Sequence, residues 1–206
     1  MRIAIIGTGN VGGGLAAAAT KNGHEVTVVA AHHEHAVKLA EHTGAKAAAT
    51  TAEAAVGAEA VVLAVPASAA AEVLSQLGED AIVIDATNPL NETYSDLTTT
   101  GTSHAEALAA AAPNVKLVKA FNTVFASRLN NSNEDGQPLD GYYAGDDEAA
   151  KAKTAELLQS LGFRPIDAGS LRMARALEEL AFLNITLNAR NEWSWQSAWR
   201  LAGPTA

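Results

Sequence analysis

The N-terminal half of the chain alternates short, wholly apolar runs with longer stretches in which small apolar residues recur at helical spacing. The first run, Ile3-Ala4-Ile5-Ile6, is consecutive rather than alternating, the pattern of a strand covered on both faces by helices. A helix is predicted over residues 11–22, closed by Gly23. Residues 25–30 read as a second strand. A helix to about His42, ended by Gly44, follows it, and then a weak third strand over 45–49. Thr51 is placed to cap a short helix with Glu53 in its first turn. Residues 60–65 form the fourth strand, stopped by Pro66. A helix over 68–77 precedes the fifth strand, 81–85, which leads into the turn Thr87-Asn88-Pro89.

The second half keeps the rhythm more loosely. A helix over 103–112 has Ser103 as its cap, and residues 115–119 form a strand. Residues 130–140 are a polar loop, and 141–144 a short strand. A helix over 146–161 carries acids at its N-terminus, where they suit the macrodipole. A last strand, 164–168, precedes a helical stretch from Leu171 to about Ala202. Strands alternating with helices predict an α/β fold: a Rossmann-type, doubly wound, mostly parallel sheet with a small C-terminal helical extension.

Composition narrows the class. Of 206 residues 48% are hydrophobic and 18% charged, which excludes global disorder. Fourteen basic against 23 acidic side chains give a net charge of −9, so neither nucleic acid nor an anionic membrane surface is an expected partner. The lack of cysteine removes disulfides, thiolate metal sites and cysteine nucleophiles. No stretch approaches the roughly 20 apolar residues of a membrane span, and the first apolar run is too short for a signal peptide. The expected location is the cytoplasm.

The chemistry begins at Gly7-Thr8-Gly9-Asn10-Val11-Gly12, which fits G-x-G-x-x-G, follows a strand and opens a helix. In such a loop Gly7 permits the tight turn and Gly9 lets the backbone approach a pyrophosphate. Gly12 lets helix and strand pack closely, and the helix-start N–H groups face phosphate oxygens. A short-chain dehydrogenase is excluded: Leu15 stands where its last loop glycine belongs, and no tyrosine has a lysine four residues on. We therefore divide the chain into an NAD(P)-binding Rossmann domain, 1–168, and a C-terminal helical segment, 169–206, packed on that domain or in a dimer interface.

The tip of the second strand chooses the coenzyme. An NAD enzyme usually places Asp or Glu there, on the ribose 2′-OH. Here Ala30-Ala31 is followed by His32, His33 and His35. Imidazole N–H groups at a helix start suit a 2′-phosphate, which favours NADP. The three histidines do not share one helix face, so no metal site is expected.

Ligands of an open parallel sheet bind beyond the carboxyl ends of its strands. Val65-Pro66, Asn88-Pro89 and Phe121-Asn122 stand at three such tips and together offer an apolar wall and two amides, suited to a nicotinamide. No general acid or base stands out. Lys119 is the only basic residue at a strand tip, and a lysine snorkelling from the strand is the simpler reading; Asp85 and His104 are weaker candidates. No catalytic side chain is assigned, because hydride transfer between two bound cofactors needs only positioning. Trp195 and Trp199, spaced i,i+4, are expected on one helix face, as a stacking surface or a dimer contact.

The glycine loop, His24-Glu25, Val65-Pro66, Lys119-Ala120-Phe121-Asn122-Thr123, Gly145-Asp146-Asp147 and Asp167-Ala168-Gly169-Ser170-Leu171 occur in an order that resembles the F420-dependent NADP oxidoreductases. The N-terminal domain of the six-transmembrane metalloreductases is similar. The resemblance implies an NADP-dependent oxidoreductase that passes hydride to coenzyme F420 or a flavin-like acceptor, and a homodimer whose only other partner is that small redox molecule. It implies cofactor contacts at Thr8, Gly9, Asn10, Val11, Ala30, Ala31, His35, Val65 and Ala126. Two departures stand out. Ala30-Ala31 occupies the place of a frequent Ser-Arg, and Phe125 the place of a frequent Pro beside the second-substrate pocket. Alternative readings are an NADPH-dependent imine, carbonyl or metal-chelate reductase, with Lys119 as the acid for carbonyls and imines, and a non-catalytic NAD(P)-sensing module.

Overall fold

The computed structural model describes residues 1–203 and 205. Along the chain run β1 (Arg2–Ile6), α1 (Asn10–Lys21), β2 (Glu25–Val29), α2 (His33–Thr43), β3 (Lys46–Ala47), α3 (Thr51–Ala55), β4 (Ala60–Leu63), α4 (Ala67–Leu74) and β5 (Ile82–Asp85). The second half contributes α5 (His104–Ala111), β6 (Lys116–Ala120), a small hairpin of β7 (Asn133–Glu134) and β8 (Gln137–Pro138), β9 (Asp140–Gly145), α6 (Glu148–Ser160), β10 (Arg164–Asp167) and α7 (Ala174–Arg190).

Eight strands form one sheet in the order β10-β9-β6-β5-β4-β1-β2-β3. The run β3-β2-β1-β4-β5-β6 is wholly parallel, with β1 flanked by β2 and β4. Strand order therefore reverses at β1, which opens a crevice at its carboxyl end. Beyond β6, β9 runs antiparallel to β6, and β10 is parallel to β9.

The consecutive apolar runs have a direct cause. In β1, Ile3 and Ile5 pack with Leu15, Ala16 and Ala19 of α1 on one face, while Ala4 and Ile6 join Leu63, Ala70, Leu74 and Leu108 on the other. Side chains alternate across a strand, so a sheet covered on both faces needs apolar residues at every position.

Local signals place most ends within a residue or two. Gly44 ends α2 at φ 79° and Gly23 follows α1 at φ 82°, both left-handed. Ser103 caps α5 in a full capping box with Glu106. Two expectations shift. The cap of α3 is Thr50, whose side chain accepts from Glu53 N, and Thr51 is buried inside the helix. The polar stretch 130–140 contains the β7–β8 hairpin, turned through Asp135 and Gly136 at positive φ.

One expectation fails outright. The C-terminal helix ends at Arg190, not near Ala202, because Glu192 and Trp195 adopt φ of 54° and 59° and break the helical path. The tail folds back onto the segment that follows β6 and onto the start of β9. Ser127 Oγ donates to Trp195 O, Arg128 Nη1 donates to Gln196 O (3.0 Å), and Asp140 N donates to Trp199 O (3.1 Å). Trp195 and Trp199 thus share no helix face: Trp195 stands edge-on to Phe125 at 5.4 Å, and Trp199 packs beside Tyr142 and Leu177.

Candidate dinucleotide site

The glycine loop divides into two duties. Gly7 sits at φ 111°, and a Cβ there would overlap the Ala64 carbonyl oxygen of the neighbouring strand. A Cβ on Gly12 would overlap the carbonyl of Gly7 itself. Both glycines are needed by the fold. Gly9 is different: its φ of −70° suits any residue, and a Cβ there would meet nothing within 4 Å. The space above Gly9 is open at the N-terminus of α1, whose first turn, beginning Asn10 and Val11, carries no acid. That environment fits a pyrophosphate, which needs free amides, positive dipole and no opposing carboxylate.

Next to this loop, Gly7, Ala30, Ala31, Val65 and Pro66 line one cleft of about 390 Å³ with Thr50 and Thr51 at its rim. It spans the carboxyl ends of β1, β2 and β4, the crevice that the reversal of strand order creates. His35 faces a neighbouring hollow of about 440 Å³ together with Thr8, Lys38 and His42. Lys38 and His42 were not singled out from the sequence, although their i+3 and i+7 spacing from His35 puts all three on one helix face. His32 caps α2 and is exposed, edge-on to His35 at 5.6 Å and 3.9 Å from Glu34. His33 points back to the Ala48 carbonyl at 3.2 Å.

On the other side of the loop, Val11, Asn88, Asn122 and Ala126 line an inner cavity of about 170 Å³, with α7 supplying Ala181 and Asn184. Phe121 adopts φ 63°, which turns the chain sharply at the tip of β6 while its ring stays buried against Phe163 at 6.4 Å. A bulky residue held in the left-handed region signals a constrained site. The two amides expected to meet a ligand instead hold each other: Asn88 Nδ2 donates to Asn122 O (2.8 Å), and Asn122 Nδ2 donates to Asn88 Oδ1 (3.0 Å) and Leu177 O (2.9 Å).

Lys119 neither snorkels nor reaches this cavity. It is wholly buried, with Nζ 2.9 Å from Asp85 Oδ2, 3.0 Å from Glu178 Oε1 and 2.6 Å from Thr87 O. The Glu178 carboxylate also accepts from His104 N and Ala105 N, at 2.9 and 3.2 Å. The lysine is a buried counter-charge joining β5, β6 and α7, and its three partners leave it no proton to offer a substrate. Glu178 lies 59 positions from Lys119, so no local sequence signal could have paired them.

Fold and loop define a doubly wound dinucleotide-binding protein, and the comparisons with known proteins narrow that class. Residues 2–89 match the family described as NADP oxidoreductase coenzyme F420-dependent. The chain is 33% identical to the F420-dependent NADP reductase of Methanothermobacter thermautotrophicus, over 93% of this chain and 90% of that one. The crystal structure of an Arthrobacter sp. FB24 protein provisionally described as an F420-dependent NADP reductase superposes with a TM-score of 0.85 at 30% identity, covering 98% of this chain and 100% of that one. Metalloreductase STEAP3 of Rattus norvegicus is 35% identical over 99 residues, 48% of this chain and 20% of that one. The chain belongs to the F420-dependent NADP reductase family and is an NADP-dependent oxidoreductase by that membership.

Proposed function

We propose that this protein transfers hydride between NADP(H) and the deazaflavin coenzyme F420. The observation that carries the reading is the match along nearly the whole chain to a reductase named for that pair of substrates. The geometry supports it. Gly7 to Gly12 would hold the pyrophosphate. Ala30, Ala31, His32 and His35 would surround the 2′-phosphate, and Val65 and Pro66, which line the Ala30–Ala31 cleft and not the cavity of Asn88 and Asn122, would wall the adenosine side rather than the nicotinamide for which the sequence suggested them. Val11, Asn88, Asn122 and Ala126 would frame the nicotinamide. A deazaflavin accepts hydride at a ring carbon, so the protein needs to position two rings and exclude water rather than supply an acid. The exposed edge of Trp195 against Phe125, a cavity-lining residue, offers a flat apolar surface for the acceptor.

A carbonyl or imine reductase with Lys119 as acid is the weaker reading, because that ammonium is buried between two carboxylates away from the cavity. We further propose a cytoplasmic homodimer. No helix among the described residues is long and apolar enough to cross a membrane, and α7 presents an apolar strip of exposed Leu183 beside the half-buried Leu180. Within each subunit, residues 1–168 would serve as the dinucleotide domain and 169–206 as the segment that completes the inner cavity. The test is to mix NADPH with oxidised F420, a flavin, a cyclic imine and an iron chelate in turn. Turnover with F420 exceeding the others by orders of magnitude supports the reading; turnover confined to the imine or the chelate overturns it.

A further inference from the structure

The inner cavity carries polar atoms with nothing to bind. Among the described residues, Asn122 Oδ1 and Asn184 Nδ2 are both fully enclosed and have no hydrogen-bond partner. The two residues are 5% and 4% exposed, and both line the same cavity of about 170 Å³. Leaving a buried amide atom unpaired costs about 1–3 kcal/mol, so two of them on residues that line one cavity call for a partner that the folded chain itself does not supply.

The orientation of each amide is set by its other bonds. Asn122 Nδ2 is committed to two acceptors, Asn88 Oδ1 and Leu177 O, so its free atom is the oxygen. Asn184 Oδ1 accepts from Ser197 Oγ (2.7 Å) and Asn188 Nδ2 (3.2 Å), so its free atom is the nitrogen. Ser197 in turn accepts from Asn188 Nδ2 at 2.6 Å, which locks the arrangement from the folded-back tail. The residues around the cavity therefore carry one spare acceptor, in the turn after β6, and one spare donor, on α7.

We infer that Asn184 is a specificity residue for the coenzyme, and that with Asn122 it clamps the nicotinamide carboxamide: Asn184 Nδ2 donates to the carboxamide oxygen, and Asn122 Oδ1 accepts from its NH₂. A primary carboxamide presents that donor and acceptor side by side. The cavity has room for a single ring, and it adjoins Val11 and Ala126 beside the glycine loop. This inference rests on the dinucleotide reading above.

The test uses binding, measured by fluorescence titration and calorimetry, with two variants and two probes. NADPH and 2′,5′-ADP, which lacks the nicotinamide, are titrated into wild type, Asn184→Leu and Asn184→Asp. The inference expects NADPH to weaken about tenfold in both variants while 2′,5′-ADP is unchanged. The Asp variant retains the acceptor that Ser197 and Asn188 use, so it guards against misfolding of the Leu variant. Independently of any variant, wild type should bind the 3-acetylpyridine analogue of NADP about tenfold more weakly than NADP, because a methyl group then faces Asn122 Oδ1. Unchanged NADPH affinity in a folded variant, or equal affinity for the analogue, overturns the clamp. If 2′,5′-ADP fails to bind wild type at all, the dinucleotide reading itself falls.

Discussion

The Lys119 ammonium and the Asp85 carboxylate meet at 2.9 Å with both side chains wholly buried. Among the described residues the lysine is the cation paired with both Asp85 and Glu178, and it ties the tips of β5 and β6 to the first turns of α7. Removing one partner of a buried pair costs about 3–5 kcal/mol, since the charge left behind is uncompensated. Lys119→Met should therefore lower the denaturation midpoint sharply. Turnover per folded molecule should stay within a few-fold of wild type, because Lys119 does not line the cavity. Urea unfolding alongside kinetics corrected for active fraction checks this; a fully folded variant without turnover would restore Lys119 as the acid.

The glycines of the loop should separate into two phenotypes. Gly9→Val is expected to fold normally, since its backbone is ordinary and its surroundings open. It should lose NADPH binding because the side chain occupies pyrophosphate space. Gly12→Ala should instead lose stability, its Cβ pressing on the Gly7 carbonyl. Thermal melts and NADPH titrations of the two variants distinguish them.

Coenzyme choice should respond to the tip of β2. Ala31→Arg places a guanidinium beside the cleft that Ala30 and Ala31 line, and a guanidinium matches a phosphate bidentately. NADPH should tighten far more than NADH. Equal tightening of both coenzymes would show that position 31 does not face the 2′ group.

An acid-stability prediction follows from Glu106. Its carboxyl is held well below the ordinary value of 4.5, first by the Arg175 guanidinium at 2.7 and 2.8 Å, which outweighs the opposing effect of burial, and then by the Ser103 backbone and hydroxyl. A depressed carboxylate stabilises the fold at pH above its unfolded value and loses that contribution as pH falls toward its folded value. Stability should therefore decline progressively below about pH 4.5, and Glu106→Gln should flatten that decline while lowering stability at neutral pH. Unfolding midpoints from pH 3 to 7 measure it.

Much of this was legible in the residues themselves. The buried strands announce themselves because a sheet covered on both faces needs runs such as Ile3-Ala4-Ile5-Ile6 and Val61-Val62-Leu63. Gly23, Gly44 and Ser103 mark helix ends through chemistry carried by single residues. What escaped depends on distance. One partner of Lys119, Glu178, comes from α7, and the free nitrogen of Asn184 is defined by Asn188 together with Ser197 in a tail that folds back. The tail itself misled: tryptophans at i,i+4 look helical, and nothing in that spacing reveals positive φ at Glu192 and Trp195. Asn88 and Asn122 were placed correctly at strand tips, but their mutual hydrogen bonds leave one free atom where two amides were expected.

The most direct test of the account is the path of the hydride. NADPH carrying deuterium at the transferred C4 position is mixed with oxidised F420 in a stopped-flow instrument, and the reduced acceptor is analysed by mass spectrometry. Direct transfer in a site with no catalytic acid predicts that deuterium slows the single-turnover step and that the label appears on the acceptor ring carbon. Any pH dependence should then trace to binding or acceptor ionisation. Reduced F420 without the label, or label delivered only to a carbonyl or imine, would contradict it.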